Sequence, residues 1–523
     1  MAIRVPTARR RAGPSFRNTA RVAGLLAMLF AAPRSAPAQL ISIKTVPIAQ
    51  GDQFNLFPSQ TLGMGGVSIA VPDTLLDPFV NPAKGTRLGA ARVFGSPAVY
   101  SVSNEAGGGR SLPLAALLRS GDWFGGLSLA LQEVDASQQN AFPGPIILRQ
   151  TTDIQPPEPA PDLGPTERSH GNRYALAMAG RTFESARLSV GGSLFWADLS
   201  AVDGVDMLYA GSSRISQNGG AVDLRVGILK ELPGDRSLEV LAVHNRFGMT
   251  HEVTYIESFW DPGSQQFLQR ARLEQNLDRT NTWGLHFEYE RPLAADGWRI
   301  GWLATVNRMT HPKIPNYQIM SIPRDPGYSW AFNLGVGVSR AHGGATFGID
   351  AIYEPIRSET WADAASPIEN ALGDTIPAGG KTIENSFRFS NALFRMGVTQ
   401  QMEVSGLGRA AAVQLGLVVR SIRYRLDQYD NVQLSFRTQY ERWTEWSPTW
   451  GLSLRFPELE IRYVGSVLHG TGRPGVAQGC CFGPAGRDAA VASGGIIAAP
   501  SGPLTLAEVR VVSHQISLSL PIR

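Results

Sequence analysis

Long runs of strictly alternating apolar and polar residues dominate this chain from about residue 90 onward, and few folds accept them. Trp283, Leu285, Phe287 and Tyr289 alternate with Gly284, His286 and Glu288. Trp298, Ile300, Trp302, Ala304 and Val306 alternate with Arg299, Gly301, Thr305 and Asn307. The same rhythm runs through Trp330–Val338 and Val432–Tyr440. Residues two apart lie on nearly opposite sides of a helix but on one side of a strand, so the stripes specify β-structure. Many of these stretches run 11 to 15 residues. Globular strands average about 5 to 6 residues, whereas a tilted transmembrane strand needs about 9 to 11.

Alternation alone fits a soluble sandwich with apolar residues inside as well as a barrel with apolar residues outside. Aromatics at strand ends (Trp283, Tyr289, Trp298, Tyr328, Trp330, Trp443, Trp446, Trp450) suit the interfacial girdles of a barrel. Strands are read near 91–103, 110–119, 122–133, 171–183, 187–199, 219–232, 236–247, 279–291, 297–309, 327–340, 344–356, 384–400, 409–424, 430–443, 447–468 and 503–522. Short turns such as Ser120-Gly121-Asp122, Pro233-Gly234-Asp235 and His342-Gly343 alternate with long segments near 134–170, 200–218, 248–278, 310–326, 357–383 and 469–502. Short turns on one side and long loops on the other are how outer-membrane barrels are built. The expectation is an all-β, antiparallel transmembrane barrel of 14 to 16 strands over residues 91–523. Apolar parity changes at Pro457, where a bulge or break is expected. The Pro-rich stretch Ile154–Pro165 reads as a solvated surface loop or a lid.

The chain carries 48 basic and 44 acidic residues, but seven Arg precede the first acid, Asp52. The apolar run Val22–Ala32 and the Ala36-Pro37-Ala38 exit complete a secretory signal over residues 1–38. Cleavage after Ala38 leaves 48 − 7 = 41 basic and 44 acidic groups. The alkaline character therefore gives no support to nucleic-acid binding. No apolar run reaches the roughly 18 residues of a membrane helix. Cys480 and Cys481, the only cysteines, are adjacent in a Gly-rich stretch and form either a strained loop disulfide or no bond.

Residues 39–90 lack the alternation. Gly63, Gly65 and Gly66 permit tight backbone paths, and Pro72, Pro78 and Pro82 remove donors. Asp73, Asp77 and Asn81 can bond nearby amides. Such a turn-rich segment either hangs below a barrel or plugs it. Leu62-Gly63-Met64-Gly65-Gly66-Val67-Ser68-Ile69-Ala70, followed by Asp73 and then Asn81-Pro82-Ala83-Lys84, resembles the opening of the FadL-like outer-membrane transport barrels and of relatives resembling the PorV outer-membrane protein. The resemblance implies that residues 39–90 form a hatch inside the barrel, with Gly63, Met64, Gly65, Gly66, Asp73, Asp77, Asn81, Pro82 and Ala83 as its motif. It implies passive uptake of hydrophobic small molecules such as fatty acids or hydrocarbons; a PorV-like docking role in secretion or surface attachment is the alternative. Asn81 is read either as a gating residue or as a turn cap.

The eight histidines form no H-E-x-x-H pair, and no nucleophile elbow or phosphate loop occurs. An enzyme is not expected, and no cofactor or metal is called for. Lumen-lining candidates are His286, Glu288, Arg299, Arg437 and Glu441, with Glu460 and Arg462 beside them. They read as solvated wall residues in salt-bridge ladders; His286 beside Glu288 could also act as a proton-sensitive latch. The expected surroundings are outer-membrane lipid, a hydrophobic ligand and no nucleic acid.

Overall fold

The computed structural model describes residues 40–51, 53–135, 169–205, 214–261, 263–293, 296–311, 326–364, 366–404, 409–474 and 506–522. The expected export signal, the Pro-rich stretch and Cys480–Cys481 lie outside the described residues. The wall begins with β1 (Ala91–Gly95) and β2 (Ala98–Val102), which share one register. Gly95 stands opposite Leu114 and Leu518, and Ala98 opposite Ser111 and Gln515. Between them Ser96 N donates to Pro113 O (3.1 Å) and Ile516 N to Pro97 O (3.0 Å). They are one wall strand, interrupted where Pro97 has no N–H to give.

The wall continues through β3 (Gly108–Ser120), β4 (Trp123–Asp135), β5 (Ser169–Phe183), β6 (Leu188–Leu199), β7 (Arg214–Leu232), β8 (Arg236–Asp261), β9 (Gln266–Pro292), β10 (Trp298–His311), β11 (Gly327–His342) and β12 (Ala345–Asp363). After the small hairpin β13 (Ile368–Glu369) and β14 (Thr375–Ile376) come β15 (Lys381–Val404), β16 (Arg409–Asp430), β17 (Ser435–Arg455), β18 (Glu460–Pro474) and β19 (Leu506–Ile522). Each wall strand pairs antiparallel with the next, and β19 closes onto β1 and β2. The sheet holds 17 segments; counting β1 and β2 as one gives 17 − 1 = 16 wall strands. Closure leaves no sheet edge.

The faces decide the setting. On β4, Leu127, Leu129 and Leu131 are 53, 55 and 63% exposed, whereas Ser128, Ala130 and Gln132 are 4, 4 and 5% exposed. Trp302, Phe332, Leu415, Leu452 and Leu518 extend the outward belt, while Asn307, Asp350, Glu354, Ser517 and Ser519 are buried. This is the inverse of a water-soluble protein, where an apolar patch above a few hundred Å² is rare. A barrel whose outer face is apolar and whose inner face is polar is built for a bilayer.

Two parts of the sequence reading are corrected. The expected strands 430–443 and 447–468 are instead β17 and β18, with turns at 431–434 and 456–459. Asp430 Oδ1 accepts from Val432 N and Gln433 N (2.8 Å each) and reverses the chain there. At Pro457 the expected irregularity is a break and not a bulge: the chain makes a full turn, with Phe456 N donating to Leu459 O (2.8 Å). Trp443 consequently faces inward, not into an interfacial girdle. The second correction concerns 248–278. The β8–β9 ladder continues without a break to Asp261 opposite Gln266. Beyond the membrane rim the backbone pairing persists but lipid no longer selects one apolar face, so the periodic signal stops before the strand does.

Candidate functional site

Residues 40–90 touch inward-facing side chains around the whole circumference. Local chemistry shapes the segment first. Asp73 gathers the chain: Oδ1 accepts from Leu75 N and Leu76 N (3.1 Å each), and Oδ2 from Gln60 N (2.7 Å). Gly65 (φ 79°) ends the 3-10 turn Leu62–Met64 in the left-handed region, which favours glycine. Asn81 starts the 3-10 run Pro82–Arg87; its Oδ1 accepts from Ala83 N (3.1 Å), and Pro82 takes the first position, where a missing N–H costs nothing.

The wall is hollowed to receive it. Three cross-strand glycine pairs face the segment: Gly191 opposite Gly227, Gly301 opposite Gly337, and Gly397 opposite Gly416. A methyl group on these glycines would overlap Asn81–Ala83, Ile69, or Met64 and Gly65 respectively. Side chains of the wall then hold the segment's backbone. Thr449 Oγ1 accepts from Gly65 N and donates to Gly63 O (3.0 Å each). Asp350 accepts from Ser68 N (2.8 Å), and Arg395 donates to Gly66 O (2.9 Å). Ser339 donates to Ala70 O (2.6 Å), Gln414 to Gln60 O (2.7 Å), and Arg225 to Val80 O (3.0 Å).

A charged cluster lies where β8 and β9 face the N-P-A-K turn. Lys84 Nζ is 2.8 Å from Glu239, 3.7 Å from Asp77 and 4.0 Å from Glu288. Burial alone would lower the Lys84 ammonium, but Asp77, Glu239 and Glu288 outweigh it and hold the pKa well above its ordinary value. Burial pushes the Asp77 carboxyl up to about 7, against the pull of Lys84. A second ladder joins Lys44 to Glu445, and Arg420 to Glu354 (3.1 Å).

Toward the long-loop end the inner wall becomes apolar. Met309, Ile356, Phe387, Phe389, Tyr424 and Leu426 form a buried cluster in which Ile41 is seated, with Ile43 and Trp443 packed against it. Phe389 and Tyr424 rings lie 5.0 Å apart. Ile41 N donates to Asn307 Oδ1 (2.9 Å) and Tyr424 OH to Thr45 O (2.9 Å), which fixes the segment in this pocket. A separate cavity of about 70 Å³ lies between Leu62–Gly66 and residues of β2, β3, β4 and β16–β19. Sites for small ligands occupy roughly 300–1,000 Å³.

The other residues chosen from sequence are spread out. His286 and Glu288 face inward within the Lys84 cluster. Arg299 binds Glu290 and Asp235 at the short-turn rim. Arg437 donates to Gln428 (2.6 Å), and Glu441 accepts from Gln439 (2.8 Å), both near the 431–434 turn and far from the glycine seat. Glu460 pairs with Arg455, Arg462 and Arg92. Sequence reading quoted Lys84 in the motif without giving it a role, and missed Glu239, Asp350, Arg395 and Thr449. One signal was available: glycines recur on the polar stripes at a similar distance from the short turns.

No family model and no curated protein sequence matches the chain. Among solved structures it is similar to a Pseudomonas aeruginosa FadL homologue (12% identity, 88% of this chain and 98% of that one, TM-score 0.41). It is also similar to the Pseudomonas putida toluene transporter TodX (10%, 91% and 100%, TM-score 0.36) and to the Neisseria meningitidis FrpB iron transporter (10%, 88% and 86%, TM-score 0.34). Likeness at this level assigns no cargo.

Proposed function

We propose that this protein is an outer-membrane channel for passive entry of hydrophobic small molecules, fatty-acid or hydrocarbon in type, with residues 40–90 as its hatch. The observation that carries the reading is the apolar pocket on the inner wall. A pore for polar solutes has no use for Phe387, Phe389, Tyr424 and Leu426 turned inward, and here they enclose Ile41. A branched aliphatic side chain is a fair stand-in for the hydrocarbon such a pocket accepts. Burying one gains about 1.5–3 kcal/mol relative to exposure in water, so an incoming alkyl chain can replace Ile41 at little net cost. The 70 Å³ cavity beside Leu62–Gly66 is too small for a hydrocarbon to pass, so passage at that point calls for movement of the hatch. Nothing in this scheme requires energy input.

The test is flux. Liposomes carrying the purified protein should take up a long-chain fatty acid or toluene faster than empty liposomes. Ile41→Asp should increase binding of an apolar fluorescent probe, because the seat is vacated. Absence of apolar flux and binding, with a protein partner retained through purification, would replace the channel reading by the docking one.

A further inference from the structure

Glu239 on β8 and Glu288 on β9 stand directly opposite each other on the inner face, and His286 lies two residues from Glu288 on the same side. Like charges in that relation repel. One ligating atom from each of the three lies within 4.8 Å of the others. His286 is 1% exposed. Its Nδ1 bonds Thr305 Oγ1 (2.7 Å), which turns Nε2 toward the two carboxylates. Nε2 stands 3.8 Å from Glu239 and 3.6 Å from Glu288, and among the described residues it has no hydrogen-bond partner. Those gaps are too wide for hydrogen bonds. They are close to the separation of ligands sharing one ion: donors about 2.0–2.2 Å from a tetrahedral centre stand roughly 3.3–3.6 Å apart.

We propose that Glu239, His286 and Glu288 form a site for a divalent transition metal of the zinc class, and that Lys84 competes with the ion for it. The donor set selects the ion. An imidazole beside two carboxylates suits zinc, cobalt or nickel, whereas magnesium and calcium favour oxygen alone. Thr305 orients the imidazole as an outer partner does in established metal sites. Charge also balances. Three carboxyl groups (Asp77, Glu239, Glu288) surround one ammonium, Lys84. Asp73 is satisfied separately by backbone amides. A dication neutralises Glu239 and Glu288 and leaves Lys84 to pair with Asp77, already 3.7 Å away. Glu239 turns Oε2 to Lys84 and Oε1 toward His286, so ion and ammonium draw on the charge of one carboxylate, and binding weakens the contact between wall and lumen segment in favour of the one within the segment. The site is independent of what the barrel passes.

The experiment uses the full chain without an affinity tag, stripped with a chelator in detergent and titrated with Co²⁺ by visible absorbance and with Zn²⁺ by calorimetry. One Co²⁺ per chain is expected. His286→Gln and Glu288→Gln should each weaken binding at least tenfold, and Lys84→Met should tighten it, because it removes the competitor. Should Lys84→Met fail to fold, the His286 and Glu288 variants decide alone. No binding by the wild type, binding unaffected by His286→Gln, or Mg²⁺ binding as tightly as Zn²⁺ would overturn the proposal.

Discussion

Gly191 and Gly192 provide a matched test of how the lumen segment sits. They are neighbours on β6 and face opposite sides of the wall. A Cβ on Gly191 would stand 2.7–2.8 Å from the backbone of Pro82 and Ala83, whereas a Cβ on Gly192 meets only Arg225 O at 3.6 Å. Ordinary contact begins near 3.4 Å, so in Gly191→Ala the Pro82–Ala83 peptide must retreat by about 0.7 Å. Overpacking of this kind costs about 1–3 kcal/mol, and each 1.4 kcal/mol is about tenfold in an equilibrium. The displaced fraction of the segment should therefore rise about five- to 150-fold. Open probability of the purified protein in planar bilayers measures it, with heat-shifted mobility on gels as the control for a folded barrel. Gly192→Ala should match the wild type. A folded Gly191→Ala barrel with wild-type open probability would refute the argument.

Three further outcomes are expected. Asn81→Ala removes the cap on Ala83 N at about 0.5–2 kcal/mol and should raise leakage of small dyes from liposomes; unchanged leakage would leave Asn81 a turn cap with no gating role. Thr449→Val leaves Gly63 O without its donor and Gly65 N with only its longer bond to Leu62 O (3.2 Å), a loss of about 1–3 kcal/mol that should appear as faster hydrogen exchange at Gly65 with the barrel amides unchanged. Arg395→Met strands the buried Asp350 carboxylate, and breaking such a pair costs about 3–5 kcal/mol, read as a lower urea midpoint.

The wall was legible because lipid imposes a period of two on every spanning strand. Each of the 16 expected strands has a counterpart, and the inward placement of His286 and Glu288 followed from the stripe carrying Trp283, Leu285 and Phe287. Legibility failed where lipid stops acting. Above the rim His251, Glu252 and Thr254 give no stripe although β8 continues, and Asp430 turns the chain through a side-chain bond that alternation does not reveal. The seat was harder still. Lys84 meets Glu239 across a separation of 155 positions, and Asp350 meets Ser68 across 282. Such pairs are set by closure of the barrel, not by any local pattern. The motif glycines were noticed for their own flexibility, whereas the wall glycines that accommodate them carry meaning only once they face one another.

The central claim is that the apolar stripe meets acyl chains while the polar stripe encloses the lumen segment. Spin-label scanning of β4 tests it most directly: after Cys480 and Cys481 are replaced by Ser, single cysteines at positions 127 to 132 are labelled in a bilayer and their collisions with dissolved oxygen measured. The account predicts high oxygen contact at Leu127, Leu129 and Leu131 and low contact at Ser128, Ala130 and Gln132. A flat profile, or one with the maxima at Ser128, Ala130 and Gln132, would contradict it.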